Sequence, residues 1–96
     1  MGKPMRIDQI EVYSDATNAA VMRHPARVFP GVLVQGDTLH SLWFRMDGII
    51  AQLHGTDEFY DAEYIRERLQ DLLSHYKTVL IDHKIDLPFT DDPRLK

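Results

Sequence analysis

The first third of the chain alternates short apolar runs with turn-forming residues, a pattern typical of β-strands. Residues 6–13 place Ile10 and Val12 on one face of an extended segment and polar neighbours on the other. Two further apolar segments follow at 19–23 and 31–35. The segment 31–35 is so continuously apolar that we expect the most buried strand there. The pattern predicts about three short antiparallel strands with their loops within residues 6–36, and a two-stranded ribbon is the alternative.

The middle of the chain has apolar residues at three- and four-residue spacing, the period of a helix that lies on a core. This segment covers residues 37–54 and follows Gly36, which ends the preceding strand. Asp37 or Thr38 is the expected capping residue, because a short oxygen-bearing side chain satisfies amide groups of the first turn. The apolar stripe consists of Leu39, Leu42, Trp43, Met46, Ile49, Ile50 and Leu53.

A second helix is predicted over residues 57–83. Gly55 is the expected left-handed terminator of the first helix, and Thr56 or Asp57 opens the second. Residues 84–96 form a tail with two prolines, and we expect its last six residues to fray. The tail residues expected to pack back are Ile85, Leu87 and Phe89.

These elements predict an α+β domain in which a small antiparallel sheet of about three short strands is covered by a C-terminal helical hairpin. We expect residues 1–96 to form a single domain. Trp43 and Tyr76 lie at helical spacing and are expected to belong to the core. The other predicted core positions between helices and sheet are Leu42, Met46, Ile49, Leu69, Leu72 and Leu80.

Composition excludes several classes of protein. The 96 residues contain no cysteine, so disulfide frameworks, thiolate metal sites and cysteine nucleophiles are absent. The formal net charge is −4, with four basic and three acidic residues in 1–36 but seven basic and twelve acidic residues in 37–96. Nucleic acid is therefore not an expected partner, because such affinity needs a basic face. The start of the chain has no apolar leader and no segment is long enough for a membrane span, so we expect a cytoplasmic protein.

Motifs of catalysis or cofactor binding do not occur in the chain. Glu67, Asp71 and His75 have helical spacing that suits a divalent cation, but a solvated charged helix face has the same spacing. The serines lie in no nucleophile motif, and no glycine-rich phosphate loop is present. We therefore predict no catalytic residue, no metal site and no cofactor.

The segment from Arg23 to Asp37 differs from the rest, because it concentrates cationic side chains in a loop that contains two prolines. Arg23, His24 and Arg27 lie in or next to this loop, and Gln35 and Asp37 follow at the predicted start of the helix. Arginine offers a planar donor fork that suits carboxylate or phosphate, so one interpretation is a site for a ligand or an acidic partner. The other is that both arginines pair with carboxylates of the domain itself, such as Asp37 or those of the second helix.

The same segment, with the end of the chain, carries a resemblance to a known family. The runs RHPARVFPGVLVQGDTLHSL and HYKTVLIDHKIDLPF resemble a family of small bacterial proteins of unknown function, over most of residues 7–89. The resemblance implies a bacterial source and no particular activity. Thr38 stands where the family pattern has serine. The positions that match the pattern are Arg23, Pro25, Arg27, Phe29, Pro30, Gly31, Gln35, Gly36, Asp37, Leu87, Pro88 and Phe89.

These observations predict a protein-interaction module, of which an acidic inhibitor or immunity-type protein is one form, because the acidic helical half offers a surface to a basic partner. The alternative is a small-ligand or anion-binding domain that uses residues 23–37. A third hypothesis is an enzyme whose site forms at a dimer interface. A concave apolar pocket beside the arginine loop would favour the second hypothesis, and a flat acidic face the first. We also expect a homodimer at micromolar concentration.

Overall fold

The computed structural model describes residues 5–90, which form two compact units, 5–35 and 36–90. The first unit is a three-stranded antiparallel sheet, and the second is a pair of helices. The predicted α+β class with three strands and a C-terminal helical hairpin is therefore confirmed. The alternative with a two-stranded ribbon is wrong.

The sheet unit consists of three consecutive strands in the order β1-β2-β3, each antiparallel to the next. Their bounds are β1 Glu11–Ser14, β2 Ala20–Arg23 and β3 Gly31–Leu33. Met22 in the central strand lies opposite Val12 on one side and Gly31 on the other. The register between β1 and β2 shifts between Val12 and Ser14, so the pairing is irregular at the end of β1. The consecutive antiparallel order follows from the short loops, because only antiparallel strands can be joined this way.

The strand β3 was expected to be the most buried, and this prediction is wrong. All three of its residues are exposed, whereas the residues of β2 are half-buried. The reason is topological. A continuous apolar run is buried when strands flank it on both sides, but β3 is an edge strand with only β2 beside it.

The helical unit begins with α1, Gly36–Ile50, which continues into a short 3-10 turn at Ala51–Leu53. Asp37 lies in the first turn, where its carboxylate accepts a hydrogen bond of 2.8 Å from the N–H of Thr38. A negative charge is favourable at this end of a helix. The helix α1 thus begins one residue before Asp37, and the Asp37 carboxylate accepts its hydrogen bond within the first turn.

The second helix, α2, runs over Phe59–Asp82 and starts two residues later than the sequence predicts. Thr56 does not cap it, because its hydroxyl donates a hydrogen bond of 2.6 Å to the carbonyl of Leu53 and so closes the connecting loop. Gly55 has a φ of 87°, the left-handed conformation expected of a terminator. The hydrogen bond and the left-handed glycine of this loop therefore end the 3-10 turn, and they do not begin α2.

Contacts between the two helices show that they run antiparallel. Gly36 at the start of α1 lies against the ring of Tyr76 late in α2. Asp47 late in α1 forms an ion pair of 3.4 Å with Arg66 early in α2. The core of this unit lies between these contacts and is built on two fully buried side chains, Trp43 and Leu73, against which pack Leu39, Leu69 and Phe89.

The core between the helices is narrower than the apolar periodicity predicts. Trp43 is fully buried as predicted, and Tyr76 is half-buried. The prediction is wrong for three positions, which are exposed: Leu42, Ile49 and Leu72. Three others are half-buried: Met46, Leu69 and Leu80. A helix places successive residues about 100° apart, so a single partner helix covers the stripe centred on the buried residue and leaves its flank open.

The tail returns to α1. Lys84, at a φ of 57°, ends α2 in a left-handed residue, with backbone bonds from Lys84 N–H to Ile81 and from Ile85 N–H to Leu80. Phe89 then stacks on His40, with ring centroids 4.4 Å apart. The prediction that Phe89 packs back is confirmed. Ile85 is exposed, contrary to expectation. The last six residues, predicted to fray, lie outside the described residues.

Candidate functional site

The sheet unit carries an open apolar groove. Its volume is about 580 Å³, within the size range of small-molecule sites. Two polar side chains with nitrogen donors, His24 and Arg27, line it together with apolar residues. The complete lining is Ile10, Met22, His24, Arg27, Val28, Phe29, Gly31, Val32 and Leu33.

The groove arises from the strand register. Met22 lies opposite Gly31, which has no side chain, and nothing lies within 4 Å of the place that a Cβ of Gly31 would occupy. Side chains two residues apart on a strand share a face, so Leu33 stands on the same face as Gly31. The missing side chain at Gly31 therefore leaves a hollow between apolar neighbours.

The turn from His24 to Arg27 forms one edge of the groove and is held by three hydrogen bonds. The N–H of Arg27 donates to the carbonyl of His24 at 2.9 Å, with Pro25 at the second position, where its fixed φ suits a turn. The N–H of Ala26 donates to Nδ1 of His24 at 3.0 Å. A neutral His24 ring therefore carries its proton on Nε2. Arg23 holds the far end of the turn, because its Nη1 donates to the carbonyl of Arg27 at 2.8 Å.

Two arginines of the sheet unit are paired, and the third is at the groove. Arg6 pairs with Asp8, and Arg23 pairs with Glu11, its cross-strand partner, at 2.5 Å. No carboxylate of residues 5–90 forms an ion pair with Arg27, which is exposed. Arg27 therefore differs from Arg6 and Arg23, whose guanidinium groups are engaged by carboxylates.

The structure divides the residues singled out by sequence into three groups. His24 and Arg27 line the groove. Arg23 follows Met22 in β2, so its side chain stands on the opposite face of the sheet. Its partner there is Glu11, a carboxylate that the sequence interpretation did not consider. Gln35 and Asp37 are exposed and do not line the groove.

The sequence interpretation missed the apolar lining of the site. Val28 and Phe29 are 83% and 80% exposed, although both are large apolar residues in a loop. Contiguous exposed apolar side chains are typical of binding surfaces. The available signal was the occurrence of Val28 and Phe29 between two prolines, in a predicted loop.

The ion pair between Arg23 and Glu11 gives a prediction about titration. The hydrogen bond from Arg23, with a further one from Tyr13 at 3.0 Å, lowers the pKa of the Glu11 carboxyl. A lowered pKa means that the pair stabilises the fold above the ordinary carboxyl range and that this contribution is lost as pH falls through the lowered value. Arg23→Gln should therefore raise the pKa of Glu11 towards its ordinary value in a carboxyl-carbon NMR titration.

Tyr13→Phe is the matched control for this titration, because it removes the weaker of the two donors to Glu11. It should raise the pKa of Glu11 by less than Arg23→Gln does. An unchanged pKa of Glu11 in Arg23→Gln would show that the cross-strand pair does not form in solution.

A metal-binding cluster and a membrane-spanning helix are both absent from the part of the chain that the structure describes. No group of three or more histidine and carboxylate side chains in it could hold a metal ion. No helix within residues 5–90 has the length and hydropathy that a membrane span needs. A second hollow, of about 420 Å³, lies on α1 beside His40, Ser41, Phe44 and Arg45. It is formed by neighbouring residues of one helix, so the groove of the sheet unit is the better-formed candidate.

The architecture and the groove define a small α+β protein in which a three-stranded sheet carries the candidate site and a helical hairpin follows. The chain belongs to the Family of unknown function (DUF6959), whose profile matches residues 5–89. This membership agrees with the resemblance to a small family of unknown function. No curated protein and no solved structure matches the chain.

Proposed function

We propose that the chain is a binding domain whose sheet unit takes a small organic anion with an apolar body, such as a carboxylate on an aliphatic chain. The observation that carries the proposal is the apolar groove with Arg27 at its edge. The proposed activity is binding alone, with no covalent step. Among the hypotheses drawn from the sequence, a concave apolar pocket beside the arginine loop favours this one.

The lining of the groove supports an apolar body in the ligand. Phe29, Val32 and Leu33 are all large apolar residues with more than two-fifths of their surface exposed. Burying such surface gains about 25 cal/mol per Å² of apolar area. A flexible aliphatic chain is able to follow an open groove, and the volume leaves room for one of medium length.

The edge of the groove supports an anionic group in the ligand. Arg27 presents a planar fork of N–H donors that matches a carboxylate, and His24 adds a ring N–H donor. The backbone of their turn is fixed by the hydrogen bonds to His24 and Arg27 described above. A turn ordered before binding loses little conformational entropy when the ligand arrives, which favours affinity.

Octanoate is the probe that tests the proposal, and octanol is its uncharged counterpart. Titrations followed by calorimetry and by amide NMR shifts should show octanoate bound at residues 22–33. Arg27→Gln should weaken octanoate binding by about tenfold, because a charge-assisted hydrogen bond is lost, and should leave octanol binding unchanged. Gly31→Val should abolish the binding of both compounds, because a side chain fills the hollow.

Arg6→Gln is the matched control, because Arg6 is an exposed arginine of the same unit that does not line the groove. It should leave the binding of both compounds unchanged. Equal affinity for octanoate and octanol, or an equal loss of octanoate in Arg6→Gln and Arg27→Gln, would contradict an anion site at Arg27. Full octanoate binding in a folded Gly31→Val variant would place the ligand outside the groove.

A further inference from the structure

We propose that the helical unit carries a docking surface for a second copy of the chain. The surface, named here the hairpin face, is a set of exposed apolar side chains on α1 and α2. Each of them is between 38% and 58% exposed. They are Leu42, Ile49, Ile65, Leu72 and Val79.

The hairpin face is continuous across both helices. Leu42 immediately precedes the buried Trp43, and Leu72 immediately precedes the buried Leu73. Each leucine is therefore rotated by about 100° from the buried centre, in the same sense along its own helix. Because the helices are antiparallel, equal rotations in the same sense bring both leucines to the same side of the pair. Ile49 continues this side along α1, as Ile65 and Val79 do along α2.

The spacing of these residues indicates that the partner surface is helical. Leu42 and Ile49 are seven residues apart, and so are Ile65, Leu72 and Val79. A seven-residue repeat keeps side chains on the side of a helix that faces another helix, and it produces the packing of helical bundles. A flat or extended partner would impose no such period. Two hairpins paired through this face would form a four-helix bundle.

The area of the hairpin face suits an interface between two small proteins. Its exposed side chains present roughly 400 Å² of apolar surface, comparable with the largest patch on a typical monomer. An interface is about 57% apolar, so this patch with its polar rim corresponds to roughly 700 Å² per copy, close to a standard interface. The surface is therefore large enough for a specific dimer.

A second copy is the occupant that these features favour. A two-fold dimer brings the same patch of each copy together, so each side supplies the apolar, seven-residue pattern that the other requires. The chain by itself buries few large side chains: within residues 5–90, only Trp43 and Leu73 are fully buried. Covering the hairpin face would add the burial that so small a core lacks.

Sedimentation equilibrium of the full chain over a range of concentrations tests the proposal. The wild-type mass should rise from 11.2 kDa towards twice that value as concentration increases. Leu72→Glu should hold the mass at 11.2 kDa, because a charge at the centre of the face opposes its burial. Ile81→Glu is the matched control, because Ile81 is 56% exposed on the same helix, against 58% for Leu72, and lies outside the hairpin face. It should associate like the wild type.

Single-cysteine variants provide a second measurement that does not depend on the folding of Leu72→Glu. The chain has no cysteine, so a disulfide between single-cysteine chains joins two copies. Under mild oxidation, Leu72→Cys alone or mixed with Leu42→Cys should cross-link rapidly, and Ile81→Cys should not. A wild-type mass of 11.2 kDa at every concentration, or equal cross-linking of Ile81→Cys, would overturn the proposal. The groove lies in the other unit, so octanoate binding and association can fail independently.

Discussion

Replacing Leu73 with alanine should lower the free energy of unfolding by about 2–5 kcal/mol, the range for deleting a buried leucine side chain. Leu73 is fully buried and packs with Trp43, Leu39, Leu69 and Phe89, so its removal leaves a cavity between the two helices. Trp43 is the sole tryptophan and is itself fully buried. Chemical denaturation followed by the fluorescence of Trp43 therefore reports directly on this core.

The neighbouring leucine is the control for this experiment. Leu72 has the same side chain on the same helix but is 58% exposed. Leu72→Ala should change the free energy of unfolding by less than about 0.5 kcal/mol at a concentration where copies do not associate. The sequence alone predicted Leu72 as a core residue. Equal losses in the two variants would restore that prediction and contradict the exposure of Leu72.

Gly36→Ala should lower the free energy of unfolding by about 1–3 kcal/mol through overpacking. A Cβ at this position would overlap the ring of Tyr76, so either the ring or the first turn of α1 must move. Tyr76 is half-buried and its ring lies 6.4 Å from that of Phe89, which packs on the core. The substitution therefore destabilises the protein by displacing packed side chains. A thermal or denaturant melt will measure the loss of stability.

Gly48→Ala is the control in the same helix, and its expected effect has the opposite sign. Gly48 lies inside α1 with open space where its Cβ would be. Alanine at an unobstructed helix position should stabilise the protein by about 0.5–1 kcal/mol, because glycine is the poorer helix former. If Gly36→Ala also stabilised the protein, the close approach of Tyr76 would be refuted.

The helices were predictable because their signal is local. Apolar residues at three- and four-residue spacing determine a helix whatever covers it, and Gly55 marks the break between α1 and α2 by its chemistry alone. The extent of the core was not predictable in this way. Periodicity shows which side of a helix is apolar, but the number of partners decides how much of that side is buried. Leu42 and Leu72 illustrate this difference, because both lie on the apolar side of their helices and both are exposed.

The candidate site was predictable only in part, because the sequence of the loop does not determine which residues of neighbouring strands lie opposite each other. The concentration of His24 and Arg27 in a loop with prolines is visible in the sequence. The pairing of Arg23 with Glu11 depends on which residue of β1 lies opposite it, and the hollow depends on Gly31 lying opposite Met22. A shift of one residue in either pairing would move these side chains to the other face of the sheet. The strand register therefore determines which arginine holds the turn and which arginine faces the groove.

The nested contacts of the helical hairpin have a consequence for how the chain folds. Asp47 meets Arg66 nearest the connecting loop, Trp43 meets Leu73 further out, and Gly36 meets Tyr76 last. Each contact closes only a slightly longer loop than the one before, so the entropy lost at each step is small. The strands of the other unit likewise pair in consecutive order. Such local topologies, in which contacts join residues that are near each other along the chain, are typical of rapid folding.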